Sequence, residues 1–197
     1  GRDALCVMPT GGGKSLCYQI PALLLPGITL VVSPLISLMK DQVAALKSAG
    51  VPAAYINSSL TGEQIRTVYA RTRKGAYKLI YVAPERLETN SFLSLMQEMD
   101  VSFLAVDEAH CISQWGQDFR PSYLGIVDFI NALPRRPIVA AYTATATKQV
   151  QSDILRLLQL QSPYRIVTGF DRPNLYFDVR RPKNKFSALA ELIDERR

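Results

Sequence analysis

The chain has 197 residues, of which 48% are hydrophobic and 20% are charged, and this balance fits one globular domain with a sizeable core. No apolar run approaches the roughly 20 residues of a membrane span and no secretory leader opens the chain, so we expect a cytoplasmic protein without a membrane partner, associated with the nucleoid if it is bacterial. Three cysteines without CxxC spacing predict neither a zinc site nor a disulfide framework, and a net charge of +6 mildly favours a polyanionic partner.

Strand-like and helix-like segments alternate along the chain. Apolar, often β-branched runs predict strands at 4–7, 28–32, 53–56, 79–82, 101–106, 138–142 and 165–168. Helical spacing and capping patterns predict helices at 16–25, from about 35 to 50, and at 61–74, 91–98, 121–133 and 147–158. This alternation predicts an α/β fold whose mostly parallel sheet is covered by helices on both faces. Ligands of such folds bind at the carboxyl ends of the strands.

A glycine-rich loop directly follows the first predicted strand. Three glycines allow backbone amides to approach phosphate oxygens, and the helix that starts near Lys14 directs its positive end to the same place. Lys14 is placed to reach the β- and γ-phosphates of ATP, and the Ser15 hydroxyl to bind Mg²⁺. The predicted nucleotide-binding residues are Met8, Pro9, Thr10, Gly11, Gly12, Gly13, Lys14 and Ser15. Met8 stands where the usual pattern has its first glycine, so the context of the motif has to support the assignment.

Two acidic residues follow a second apolar strand. The run 101–106 leads directly into Asp107 and Glu108, the arrangement in which one acid holds Mg²⁺ through its water shell and the other orients the attacking water. Lys14, Asp107 and Glu108 are therefore the predicted catalytic residues, and Ser15 and Asp107 the predicted metal ligands. A glycine-rich run alone fits a surface turn and an acidic pair alone fits a solvated strand end, but the two together favour nucleotide hydrolysis.

The sequence pattern indicates a domain boundary near residue 169. We predict a nucleotide-binding domain at 1–168, a linker at 169–174 and the beginning of a second domain at 175–197, with a strand at 175–179 and an amphipathic helix at 186–195. Because the chain starts with glycine and stops within a predicted helix, we expect it to be a fragment of a longer protein.

Further motifs occur in a fixed order along the chain. They are VVSPLISLMKDQV at 31–43, APER at 83–86, DEAHCISQWGQDFRP at 107–121, TATAT at 143–147 and FDRPN at 170–174. With the loop at 8–15, they make essentially the whole chain resemble the RecQ family of superfamily 2 DNA helicases. The resemblance implies a RecA-like ATP-binding domain with a second RecA-like domain as its partner. It also implies 3′→5′ unwinding of duplex DNA that depends on ATP and Mg²⁺. The implied partners are single-stranded and partly duplex DNA, and the implied processes are DNA repair and recombination.

The segment after the acids corresponds to the aromatic-rich loop of that family, which couples DNA binding to hydrolysis. Trp115 and Phe119 offer stacking faces for bases and Arg120 offers a phosphate or cation–π partner, whereas the alternative places both aromatic rings in the core. Gln117 occupies a position where the family commonly has histidine, and it hydrogen-bonds but carries no charge. Ser33 and Pro34 are expected to contact single-strand phosphates, or to form an ordinary strand-to-helix turn.

Three other residues complete the predicted DNA-coupling set. Arg86 either meets DNA or pairs with its neighbour Glu85. Thr143 and Thr145 either relay between the ATP and DNA sites by hydrogen bonds to the two acids, or cap the helix that follows.

The resemblance also identifies what the chain lacks. The adenine-reading segment and the arginine of the second domain that stabilises the transferred phosphate are absent, so we expect the isolated chain to bind Mg-ATP weakly and hydrolyse it negligibly. The alternatives to a DNA helicase are an RNA helicase and a P-loop ATP switch that does not unwind nucleic acid.

Overall fold

The computed structural model describes residues 1–169, 175–176 and 178–195. Within them, the strands are β1 (Ala4–Val7), β2 (Ile28–Val32), β3 (Ala53–Ile56), β4 (Leu79–Val82), β5 (Val101–Val106), β6 (Ile138–Thr143) and β7 (Tyr164–Val167). The α-helices are α1 (Lys14–Leu24), α2 (Ile36–Ser48), α3 (Gly62–Arg73), α4 (Asn90–Gln97), α5 (Gly125–Ala132), α6 (Lys148–Leu157) and α7 (Lys185–Asp194). Short 3-10 turns cover Pro84–Arg86, Ala109–Ile112 and Pro121–Tyr123.

The strands of the described residues form one parallel sheet in the order β3-β4-β2-β5-β6-β1-β7. The central strands β2 and β5 are buried at every position, as continuous apolar runs in a parallel sheet should be. β6 lies between β1 and β5, so the loops that follow these three strands meet at the same edge. The predicted α/β fold with a parallel sheet is confirmed.

Helices cover both faces of the sheet, and each face has its own core. On one face, α1 and α2 bury Tyr18, Met39 and Val43 against the strands. On the other, α3 to α6 contribute a larger cluster that includes Phe92 and Phe129, whose rings stack with centroids 5.8 Å apart. The covering of both faces follows from the alternation of strands and helices in the sequence.

Two predicted elements differ in the structure. The helix predicted at 121–133 is divided into the 3-10 turn Pro121–Tyr123 and helix α5, because the tight turn directs Tyr123 into the core. Of the strand predicted at 175–179, the described residues 175, 176, 178 and 179 have no strand conformation and pair with no strand of the sheet. An extended segment without a hydrogen-bonding neighbour has no ladder to hold it.

The segment beyond the sheet has few structural features that bear on function. The linker predicted at 169–174 and the FDRPN motif lie, apart from residue 169, outside the described residues, and the domain boundaries stay predictions. Helix α7 matches the amphipathic helix predicted at 186–195 and is capped by Asn184, whose side chain accepts from the backbone amides of Phe186 and Ser187. No helix among the described residues has the length and apolar character needed to cross a membrane.

Candidate nucleotide site and coupling network

The glycine-rich loop and the acidic pair meet at the carboxyl edge of the sheet. The loop follows β1, the acids follow β5, and Thr143 ends the intervening strand β6. The backbone amide of Met8 donates to the carbonyl of Thr143 at 3.0 Å, and that of Asp107 donates to Val32 at 2.8 Å. The sheet itself therefore positions both predicted motifs.

Two of the three glycines in the loop adopt a conformation that favours glycine. Gly11 and Gly13 have φ values of +82° and +80°, and no heavy atom lies within 4 Å of the place where either would carry a Cβ. Gly13 is also the N-cap of α1, so the amides of the first helical turn open toward the loop. This exposed cradle of backbone amides fits an anionic phosphate chain.

The structure shows why the loop does not need a glycine at Met8. It prolongs the extended chain of β1, is half-buried against the core under α1, and is absent from the described residues with positive φ. Glycine is therefore not required there. Pro9 accepts from the amide of Gly12 at 3.0 Å and shapes the turn, and Thr10 lies exposed at its tip.

Lys14 spans the mouth of the loop. Its Nζ donates to the carbonyls of Met8 and Pro9 at 3.1 and 3.3 Å, and its positive charge favours the ionised form of both acids that follow β5. The ammonium group is thus shared between the loop and the acids, where the phosphates of a nucleotide would lie. Ser15, in the first turn of α1, is partly buried at the same edge.

Asp107 is a buried carboxyl group. Burial, followed by the charge of Glu108, raises the pKa of Asp107 to about 6, although Lys14 and His110 oppose the shift. Buried carboxylates are stabilised by a nearby cation, and a hard divalent ion with its waters would supply that charge. The described residues contain no group of three or more His, Cys, Asp or Glu side chains that could hold a metal by themselves. Ser15 and Asp107 are the two residues at this edge that could hold Mg²⁺, with phosphate oxygens and water as its other ligands.

Glu108 is held in an unusual backbone conformation. Its φ of 47° lies in the left-handed region, which costs a non-glycine residue roughly 1–2 kcal/mol. The side chain is 24% exposed, and its carboxylate lies 3.3 Å from Nδ1 of His110. The hydrogen bond from His110 lowers the pKa of Glu108 in spite of burial, so this acid is an ionised acceptor near neutral pH.

His110 connects the acids to the end of β6. Its Nδ1 lies 2.9 Å from the hydroxyl of Thr143, which in turn donates to the carbonyl of Thr145 at 3.1 Å. Because Thr143 uses its proton on Thr145, its oxygen accepts from Nδ1, which is therefore protonated. Hydrogen bonds involving Cys111 and Glu108 raise the pKa of His110 to about 10.

Neither of the two contacts expected for Thr143 and Thr145 is observed among the described residues. Thr143 reaches Glu108 through His110 instead of bonding either acid directly, and the cap of α6 is Thr147, whose hydroxyl accepts from the amide of Val150. Sequence reasoning missed His110 as a site residue. The signal was available, because it is the chain's only histidine and directly follows the acidic pair.

The aromatic-rich loop presents Trp115 to solvent. The Trp115 side chain is 76% exposed, whereas Phe119 is half-buried and Arg120 forms a double hydrogen bond with Asp118 at 2.7 and 2.9 Å. The interpretation that both aromatic rings belong to the core is wrong for Trp115. The guanidinium of Arg120 is paired within its own loop, so a phosphate would compete with Asp118 for it.

Two surface depressions flank Trp115. One, of about 320 Å³, is lined by Trp115, Gly116, Gln117, Thr145, Ala146, Thr147 and Val150. The structure thus brings Trp115, Gln117 and Thr145 together in one cleft, although 28 residues separate the last two in the chain. The other, of about 410 Å³, includes Phe119 and faces α6. A larger depression of about 480 Å³ lies against α7 and contains none of the predicted site residues.

The residues predicted to contact phosphates elsewhere are less accessible than expected. Ser33 is 1% exposed, and its hydroxyl has no hydrogen-bond partner among the residues that the structure describes. Burial therefore keeps this side chain from a nucleic-acid phosphate. Pro34 is half-buried beside it. Arg86 donates to the carbonyl of Asn57 at 3.4 Å, a contact that neither of its two predicted roles anticipated.

These features define a P-loop nucleotide-binding domain of the RecA-like class. Residues 1–153 match the family model described as DEAD/DEAH box helicase. The chain belongs to the DEAD/DEAH box helicase family.

Individual relatives give a more specific similarity. The chain is 50% identical over 196 residues to the ATP-dependent DNA helicase RecQ of Bacillus subtilis, covering 100% of this chain and 33% of that protein. It is 50% identical over 192 residues to the RecQ helicase of Pasteurella multocida, covering 98% of this chain and 30% of that protein. The chain therefore spans about a third of the length of these relatives.

Solved structures confirm the fold at lower identity. The Hef helicase domain of Pyrococcus furiosus has a TM-score of 0.64 at 20% identity, over 84% of this chain and 35% of that chain. The Lhr helicase of Mycobacterium smegmatis, solved with single-stranded DNA and AMP-PNP, has a TM-score of 0.66 at 19% identity, over 86% of this chain and 24% of that chain.

Proposed function

We propose that this chain is the first RecA-like domain of a RecQ-type DNA helicase, which couples ATP hydrolysis to 3′→5′ movement on single-stranded DNA and to duplex unwinding. The observation that carries the proposal is the series of polar contacts from Glu108 through His110 and Thr143 to Thr145. The last of these residues, Thr145, lines a cleft together with the exposed Trp115. Identity of 50% to two DNA helicases over nearly the whole chain supports the choice of DNA.

Each residue of the nucleotide site has a separate role in ATP hydrolysis. The amides around Gly11 and Gly13 hold the phosphate chain, and Lys14 leaves its carbonyl partners to meet the β- and γ-phosphates. Ser15 and Asp107 would hold Mg²⁺, which would supply positive charge beside the phosphate oxygens. Glu108, ionised because His110 donates to it, accepts a hydrogen bond from the attacking water and orients it.

The coupling step follows from the position of Thr143. Its backbone carbonyl accepts from Met8 in the phosphate loop, while its hydroxyl contacts His110 beside the catalytic acid. Thr145 lies where the cleft meets the aromatic-rich loop. A movement of Thr145 is therefore transmitted through Thr143 to the phosphate loop and to His110. A second RecA-like domain would complete the site with the arginine that this domain lacks.

Unwinding by the intact protein that contains this chain tests the proposal. Duplexes with a 3′ tail, a 5′ tail or no tail, and a matching RNA duplex, are compared with and without Mg-ATP. We expect unwinding of the 3′-tailed DNA alone, loss of nucleotide binding for Lys14→Ala, and ATP binding without turnover for Glu108→Gln. Preference for the RNA duplex would favour an RNA helicase, and failure to unwind any substrate would favour an ATP switch.

A further inference from the structure

A buried carboxylate on α6 contacts the base of the aromatic-rich loop. Asp153 is 7% exposed, and its Oδ2 accepts from the hydroxyl of Ser113 at 2.7 Å. Its other oxygen accepts from Arg156 at 3.1 Å and from Gln149 at 3.4 Å, both on the same helix. The Ser113 hydrogen bond lowers the pKa of Asp153, so the carboxylate is ionised where it meets the loop.

Ser113 links Asp153 to Trp115, the residue predicted to stack on a base. Its hydroxyl is fully buried, and while it donates to Asp153 its oxygen accepts from the backbone amide of Trp115 at 3.2 Å. A carboxylate on α6 thus fixes the main chain of Trp115 through one hydroxyl. Without Asp153, the hydroxyl would lose its charged acceptor and its orientation.

The backbone beside Trp115 is closely confined as well. The carbonyl of Ser113 accepts from the amide of Gly116 at 2.9 Å, and a Cβ on Gly116 would lie 2.2 Å from the carbonyl oxygen of His110. The loop therefore leaves the protein surface in one defined direction, while the Trp115 ring stays 76% exposed. An exposed ring on a fixed main chain stacks on a base with less loss of conformational entropy than a mobile one.

We propose that Asp153 is a positioning residue that holds Trp115, through Ser113, in place to stack on an unpaired nucleobase. The proposal rests on the proposed function for the ligand, and its structural half concerns this chain alone. Asp153 also joins α6, which follows the Thr143–Thr147 segment, to the loop that meets the nucleic acid.

Fluorescence of the 197-residue chain tests the structural half without nucleic acid, because Trp115 is its only tryptophan. Emission maximum, anisotropy and acrylamide quenching are measured for Asp153→Ala, Ser113→Ala and Asp153→Asn. We expect lower anisotropy and stronger quenching for the two alanine variants, and a return toward the wild-type values for Asp153→Asn, whose amide oxygen still accepts from Ser113. Ser152→Ala, which removes a hydroxyl bonded only within α6, is the matched control.

Stimulation of ATP hydrolysis in the intact protein by oligo(dT) tests the functional half. For Asp153→Ala we expect half-maximal stimulation to need about tenfold more oligonucleotide, in keeping with the weakening of one stacking contact, with DNA-free hydrolysis unchanged. Unaltered Trp115 fluorescence in both alanine variants would overturn the positioning role whatever the DNA result. Altered fluorescence together with normal stimulation in Trp115→Ala would instead overturn the stacking role of the ring. Thermal unfolding of each variant identifies a loss of fold. If Asp153→Ala does not fold, the fluorescence and stimulation of the milder variant Ser113→Ala decide between these outcomes.

Discussion

Nδ1 of His110 lies 2.9 Å from the hydroxyl of Thr143, and this contact joins the segment that follows β5 to the end of β6. The same nitrogen lies 3.3 Å from the carboxylate of Glu108. One ring nitrogen is therefore shared between the acid predicted to orient water and the residue whose backbone holds the phosphate loop.

Replacing His110 by alanine should alter the pH dependence of hydrolysis. The hydrogen bond from His110 keeps the pKa of Glu108 below its ordinary value, so the acid stays ionised as the pH falls. Without it that pKa rises, and the loss of activity on the acidic side should begin at higher pH. The maximal rate of the intact protein should also fall by about tenfold or more, as for other residues that orient a catalytic group. A pH–rate profile whose acidic limb does not move would contradict the assignment.

Removing the hydroxyl of Tyr123 should affect catalysis more than nucleotide binding. Tyr123 is fully buried and donates at 2.9 Å to the carbonyl of Asp107, directly before the left-handed Glu108. Tyr123→Phe keeps the ring but frees this carbonyl, so we expect a lower kcat with a nearly unchanged KM for ATP. Ser102→Ala removes another buried hydroxyl that donates to a backbone carbonyl, at the opposite end of β5, and should leave kcat unchanged. Equal effects of the two substitutions on kcat would show that Tyr123 contributes only stability.

Adding one methyl group at Gly116 should displace the aromatic-rich loop. The new Cβ would meet the carbonyl oxygen of His110 at 2.2 Å, so the backbone has to shift, at a cost of about 1–3 kcal/mol of stability. We expect Gly116→Ala to weaken stimulation of hydrolysis by single-stranded DNA and to lower the melting temperature. Gly62→Ala, where no atom lies within 4 Å of the added group and φ is not positive, should be nearly neutral in both measurements. A neutral Gly116→Ala would mean that the loop is free to move.

Asp3 should contribute stability that depends on pH. Burial raises the pKa of Asp3, but hydrogen bonds from Arg136 and from the amides of Gln161 and Val139 outweigh it and leave the pKa below its ordinary value. This contribution is present above the unfolded-state pKa of about 3.9 and is lost as the pH falls through the lower folded-state pKa. The stability difference between wild type and Asp3→Asn, from urea unfolding, should therefore be constant near neutral pH and shrink below about pH 4.

The exposed pair between Arg73 and Glu98 provides the control for Asp3. Its partners lie 2.7 Å apart, but both side chains are about half exposed. We expect Glu98→Ala to cost little stability at neutral pH because solvent screens the exposed pair. Asp3→Ala should cost about 3–5 kcal/mol, because it leaves Arg136 without its buried partner. Similar costs for the two variants would contradict the role given to Asp3.

The sequence predicted most of the sheet because its strands are buried and continuous. Residues 101–106 are an unbroken run of small and apolar side chains, and the structure buries all of them. The helix capped by Thr61 and Gln64 also forms as predicted, since the capping box is a local pattern that needs no tertiary contact. The glycine-rich loop and the acids could be placed at one edge because parallel strands end together.

Contacts between distant segments could not be predicted in the same way. The His110–Thr143 pair joins residues 33 apart, and it exists because β6 inserts between β1 and β5 in the sheet. The burial of Ser33 depends likewise on the neighbouring strands, since its motif alone suggests an exposed phosphate contact. The strand predicted at 175–179 had the right composition, but composition supplies no hydrogen-bonding neighbour.

The coupling of ATP hydrolysis to single-stranded DNA is best measured as steady-state hydrolysis by the intact protein. The rate is compared without nucleic acid and with single-stranded DNA, duplex DNA or RNA. We expect strong stimulation by single-stranded DNA, lost in Glu108→Gln and reduced in Trp115→Ala. Equal or greater stimulation by RNA would contradict the choice of DNA. A rate that is the same in all four conditions would contradict coupling altogether and would direct attention to Gln117, which shares the cleft with Trp115 and Thr145.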